Sequence, residues 1–153
     1  MAPSDSLAVR INRCYEEAGA IIKRHVAYAY GGGHGSPPFT PSPGQPPNEH
    51  VIGLDCSGFV SIVLKAGGLL ANPPAQAALD VADFEKWGVS GRGELTLWVR
   101  NDKVQQHCFL DFYGFAREYE HRYCEASHPG TYVRWLKLET FLEFEPRTLP
   151  RGW

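Results

Sequence analysis

Apolar side chains recur at steps of three and four near the start of the chain: Leu7, Ile11, Cys14, Tyr15, Ala18, Ile21, Ile22 and His25. That spacing lines one stripe of an α-helix, and Asp5 and Ser6 are candidate N-caps for it. On this reading Cys14 is core sulfur, and His25 closes the stripe as a partly buried, hydrogen-bonded residue. The pattern stops between Gly31 and Gly53, where six glycines and six prolines in 23 residues read as loop. An insertion of that length in a compact domain is expected to serve function. Order returns at Leu54-Asp55-Cys56-Ser57-Gly58-Phe59-Val60, and Val60, Val63 and Leu64 continue a second helix that ends near Gly67-Gly68. Asn72-Pro73-Pro74 breaks the chain, and a weaker third helix is expected to run to Trp87, where Gly88 stops it.

Beyond Gly93 the period falls to two. Leu95, Leu97 and Val99 alternate with Thr96 and Trp98, and Asn101-Asp102 makes a turn. Further strands are expected at His107 to Tyr113, Arg122 to Ala126 and Tyr132 to Leu136, with His128-Pro129-Gly130 turning between the last two. Alternation sets His107, Phe109 and Asp111 on one face, and Cys108, Leu110 and Phe112 on the other. Cys108 and Cys124 are then core residues. Helices first and antiparallel strands after them form the α+β pattern, in a single domain spanning 1–153 with no internal repeat.

Composition narrows the field. The chain has 153 residues, 43% of them apolar, with a net charge of −2 and a pI near 6.3. No basic field gathers nucleic acid or anionic lipid, and no apolar run approaches the roughly 18 residues of a membrane span. Met1 to Arg10 lack the basic-then-apolar pattern of a signal peptide, so the chain as given is not expected to be addressed to the secretory route. Neither the four cysteines nor the six histidines fall at C-x-x-C or H-E-x-x-H spacing. No metal or organic cofactor is expected, and neither is a disulfide framework. A monomer is expected.

The most informative position is Cys56, at the first turn of a helix. Free amides and the helix dipole there favour the thiolate, the reactive form, and the same amides can hold an oxyanion. Asp55-Cys56-Ser57-Gly58-Phe59-Val60 resembles the D-C-S-G-[LF]-V signature of the NlpC/P60 cell-wall peptidases. Tyr28-Ala29-Tyr30-Gly31-Gly32 is similar to the family's upstream aromatic-x-aromatic-Gly-Gly segment. His107 lies about fifty residues after the cysteine and opens a strand, as the family's histidine does.

The resemblance covers about Tyr28 to Trp135. It implies a papain-like α+β fold with Cys56 as nucleophile and His107 as base. It also implies cleavage of amide bonds in peptidoglycan stem peptides through a thioester. Tyr28 resembles the tyrosine whose hydroxyl reaches the site, though a packing aromatic reads equally well. Asp55 resembles the aspartate that binds substrate amines in some relatives, though a helix N-cap reads equally well. Ser57 joins them as a candidate substrate contact. For the group that orients His107 the expectation is Glu125, aligned with the family's polar third position, ahead of His121 and His128. His34 and His50 sit in the Pro/Gly insertion.

Three departures stand out. The insertion is roughly twice the family's length, Gly91-Arg92-Gly93-Glu94 replaces a Gly-Asp pair, and glutamate takes the third position in place of the commoner histidine. Lacking a leader, the enzyme is expected to act at the bacterial wall after release or delivery, as a phage lysin or tail-associated enzyme does. Rival readings are a thiol acyltransferase or amidase on another substrate, and a non-catalytic module that binds wall peptides.

Overall fold

The computed structural model describes residues 6–32, 53–70, 79–114, 121–137 and 143–150. Helix α1 spans Leu7–Lys23, and Ser6 caps it by accepting a hydrogen bond from the Val9 amide at 3.2 Å. Ile11, Cys14, Tyr15, Ala18 and Ile21 form its buried face. The helix ends before the stripe does. His25 adopts a left-handed φ of 55° and is exposed, with its ring against the edge of Tyr132. The expected burial of His25 is therefore corrected: the chain has already turned out of the helix to enter an extended segment.

That segment is β1, Ala27–Tyr28, which pairs in parallel with β2, Gly53–Leu54. Gly53, read as loop, is thus a strand residue. Helix α2, Cys56–Ala66, follows at once and ends at Gly67. A Cβ on Gly67 would stand 2.3 Å from the Cys14 sulfur, so only glycine lets the two helices approach there. Arg10 reaches across and donates to the carbonyls of Gly67 and Gly68, satisfying the end of α2.

Helix α3 is four residues, Val81–Phe84, closed by a reciprocal Asp80–Asp83 capping box. The expected run to Trp87 does not form. The chain turns at Glu85, and the Trp87 indole donates to the Leu69 carbonyl at 3.1 Å.

The remaining strands are β3 (Val89–Ser90), β4 (Thr96–Asn101), β5 (Gln106–Asp111), β6 (Tyr123–Glu125), β7 (Arg134–Leu136) and β8 (Glu145–Thr148). They form one antiparallel sheet in the order β3-β8-β4-β5-β6-β7. Strands β4 to β7 match the expected ones to within about two residues: β4 runs on through Asn101, read as turn, β5 opens at Gln106, and β6 and β7 are shorter, whereas β3 and β8 were not foreseen. The fold is α+β: a few helices and a small antiparallel sheet.

Alternation works as read. Leu97, Val99, Cys108, Leu110 and Cys124 join the helices in the main core, each side chain fully or almost fully buried. Full burial of a Leu or Phe contributes about 1.5–3 kcal/mol. The opposite face carries a second cluster of Trp98, Phe109 and Tyr123, with Leu136 and Phe144 packed against it. Buried Asp111 lies on that face, held by two hydrogen bonds from Arg122 and one from the Trp98 indole. No helix among the described residues is long and apolar enough to cross a membrane.

Candidate active site

Cys56 is the first residue of α2, and its neighbours fix that start. Asp55 is the N-cap, with Oδ1 accepting from the Gly58 amide at 2.7 Å and from the Ser57 hydroxyl at 3.4 Å. Its Oδ2 accepts from the Gly31 amide at 3.1 Å. One carboxylate thus ties the glycine pair upstream to the helix that carries the cysteine. The glycines are needed for the fit: a Cβ on Gly58 would sit 2.0 Å from the Gly32 carbonyl oxygen, and one on Gly32 would sit 2.2 Å from that of Gly53. Of the two readings of Asp55, the helix cap is the one its contacts describe.

His107 lies on β5, buried, with its ring against Phe109 and Phe144. Its Nε2 is 2.9 Å from Oε1 of Glu125 on β6, which leaves Nδ1 as the nitrogen available to Cys56. Glu125 is itself buried, and its Oε2 accepts from Arg134 Nη2 at 2.8 Å and Nε at 3.1 Å. His107, Glu125 and Arg134 therefore form one connected line, and the charge of its histidine is felt by Cys56. His121 stacks on Trp135, and His128 bonds with the Ser127 hydroxyl, so neither takes the place beside His107. His34 and His50 lie outside the described residues.

The charges follow from these contacts. The Cys56 thiol falls from an ordinary 9.0 to about 5: a hydrogen bond with Cys108 favours the anion most, and the hydrogen bond and charge of His107 add to it, against burial and the Asp55 carboxylate. Burial works against a charged His107, but its bonds and charge pairing with Cys56 and Glu125 prevail, raising it from 6.5 to about 9. Burial also opposes an ionised Glu125, and His107 and Arg134 overcome it, holding the carboxyl below its usual range. Between about 5 and 9 the pair is accordingly thiolate and imidazolium. Cys14, Cys108 and Cys124 are pushed up by burial and stay thiols, and all four cysteines are free.

The cysteine opens into a cleft of about 360 Å³. Tyr28, Asp55 and Ser57 line it together with Cys56, while Asp80 and Gln106 form part of its rim. Tyr28 is raised to about 12, by burial first and then by the negative charges of Cys56 and Asp55, so its hydroxyl stays a neutral donor. No family model matches this chain, and no curated protein or solved structure matches it either.

Two partners escape a reading of the residues alone. Arg134 faces Glu125 directly in the β6–β7 register, which the His128-Pro129-Gly130 turn already implies. Cys108 carries no such signal, because a cysteine on an apolar strand face looks like any other core residue. Among the described residues no cluster of histidine, cysteine or carboxylate side chains is arranged to hold a metal.

Proposed function

We propose that this chain is a cysteine hydrolase of the NlpC/P60 kind, with a papain-like fold, cutting amide bonds in peptidoglycan stem peptides. The observation that carries the reading is a cysteine at a helix start whose thiol a neighbouring histidine pulls down, with a buried carboxylate holding that histidine at 2.9 Å. Such a pair is equipped for acyl transfer rather than for binding alone.

The Cys56 sulfur attacks the scissile carbonyl, and the oxyanion is held by the amide of Cys56 itself, in the first turn of α2, where helix amides lack an intrahelical partner. His107 gives its Nδ1 proton to the leaving amine, and the acyl group remains on sulfur as a thioester. Water then attacks with His107 as base, freeing the acid product and restoring the thiolate–imidazolium pair. Glu125 keeps the ring oriented and supports its charge through both steps. Tyr28, Asp55 and Ser57, which border the cleft, are the proposed substrate contacts. The enzyme acts at the bacterial wall after release or delivery.

Purified peptidoglycans of differing stem-peptide chemistry, digested and analysed by mass spectrometry, test the proposal. Fragments cut at a stem-peptide amide are expected from the wild type. Cys56→Ala should stay folded and lower turnover by more than about a thousandfold, as loss of a covalent nucleophile does. Residual activity above that level removes Cys56 from the nucleophile's role.

A further inference from the structure

Strands β6 and β7 set Glu125 opposite Arg134, and a directly opposed antiparallel pair puts both side chains on one face. Two guanidinium donors converge on a single oxygen: Arg134 Nη2 and Nε reach Glu125 Oε2 at 2.8 Å and 3.1 Å. The usual fork gives one carboxylate oxygen to each nitrogen. Here the other oxygen, Oε1, is left to His107 Nε2 at 2.9 Å. One carboxylate is thus divided between an imidazole on its inner side and a guanidinium on its outer side. Burial follows the same order, with the His107 and Glu125 side chains 8% and 7% exposed and that of Arg134 47%.

The division matters because only one of these two cations is permanent. On the proposed mechanism His107 hands its proton to the leaving amine and stays neutral while the thioester lasts. A buried carboxylate whose only partner was the histidine would then stand uncompensated, which costs far more than a surface charge does. It would also hold the imidazolium back from giving its proton up. A guanidinium keeps its charge at any working pH, so Glu125 remains paired through both halves of the cycle.

We propose that Arg134 is a positioning residue: its guanidinium holds Glu125 paired while His107 is neutral, and so frees the histidine to release its proton. The inference rests on the reading of His107 as the acid and base of an acyl transfer. The other charged groups around the histidine belong to the reaction or are engaged elsewhere. Cys56 acts on it from α2, with Asp55 beside the cysteine at the helix cap. Arg100, opposite His107 on β4, bonds to Asp102 at 2.7 Å, and Asp111, further along β5, is held by Arg122.

The test is the titration of the His107 ring, followed by NMR of histidine-labelled protein in the Cys56→Ala background, where no thiolate competes. The His107 signal is assigned by its loss in His107→Gln. Arg134→Gln and Arg134→Met remove the cation, the first keeping a donor and the second the apolar stem, and circular dichroism chooses the one that folds. The midpoint should move up by about one pH unit, a roughly tenfold tighter hold on the proton. Arg134→Lys keeps the charge as a point in place of the fork and should move the midpoint up by less. Peptidoglycan turnover, measured with Cys56 intact, should fall in the same order, about tenfold in the neutral variants.

A neutral variant whose midpoint stays or moves down overturns the proposal, and so does one that turns over peptidoglycan at the wild-type rate. If neither neutral variant folds, a lysine midpoint at or below that of Cys56→Ala alone overturns it. If the wild type cuts no peptidoglycan while the midpoint still moves up, the proposed substrate fails and the pairing by Arg134 stands. Intact cleavage with an unmoved midpoint removes only this inference.

Discussion

Glu125 is where one residue sets the working range of the site. Its Oε1 meets His107 Nε2 at 2.9 Å, and this bond is one reason the imidazole keeps its proton up to about 9. The stability that His107 contributes is complete below its ordinary value of 6.5 and is lost as pH rises through about 9. A bell-shaped rate profile is expected, with the acid limb set by Cys56 near 5 and the alkaline limb by His107 near 9. Glu125→Gln keeps an acceptor in place but removes the charge. The alkaline limb should then move down by about one pH unit and the peak rate should fall, while the acid limb stays nearly fixed. A profile of stopped hydrolysis rates from pH 4 to 10 checks both limbs. An unmoved alkaline limb would show that the carboxylate does not support the imidazolium.

At the scale of elements, the start of α2 is the joint on which the placement of Cys56 depends. Asp55→Ala removes the cap and the tie to Gly31 together, and should lower stability by about 1–2 kcal/mol in denaturant unfolding. Gly58→Ala should be at least as damaging, because its Cβ would fall 2.0 Å from a backbone oxygen that cannot swing aside. If Gly58→Ala unfolds at the wild-type denaturant midpoint, the close approach of the Gly32 carbonyl is wrong. Much of this was legible in the residues. The stripe in α1, the cysteine at the start of α2 and the alternation through β4 to β7 all follow from periodicity and turn residues. The misreadings have equally local causes. His25 fits the helical spacing, but spacing cannot reveal that the backbone has turned left-handed. Strand β8 reads Glu145-Pro146-Arg147-Thr148, a polar stretch with a proline, which gives no strand signal until it is laid beside β4. Glu125 was recoverable from its place on the strand after the one that carries His107, whereas the approach of Cys56 to that strand needs the start of α2 placed against β5.

Across the whole molecule, the sheet brings distant segments to one place. Strand β8 inserts between β3 and β4, and Phe144 just before it packs its ring on both His107 and Phe109. Segments from Cys56 to Phe144 therefore converge on the histidine. The parallel pair of β1 and β2 is fastened in the same way: Tyr28 donates to Thr131, Val133 donates to Val26, and Ala29 donates to Leu54. One consequence concerns the Pro/Gly insertion. Gly32 and Gly53 lie in backbone contact, with the Asp55 amide bonded to the Gly32 carbonyl, so the two ends of the insertion are already closed by the frame. A segment joined at a closed mouth adds only the entropy of a larger ring, about 0.6 kcal/mol for each doubling of its length. The region between Ser36 and Pro47 lies outside the described residues, and the closed frame at its two ends predicts that it can be exchanged. Deleting it or replacing it with a foreign peptide should leave the thermal midpoint and Cys56 alkylation close to wild type, while, on the proposed function, the choice among peptidoglycan substrates changes. The same mouth could carry a wall-binding peptide into position beside the cleft without altering the protein beneath it.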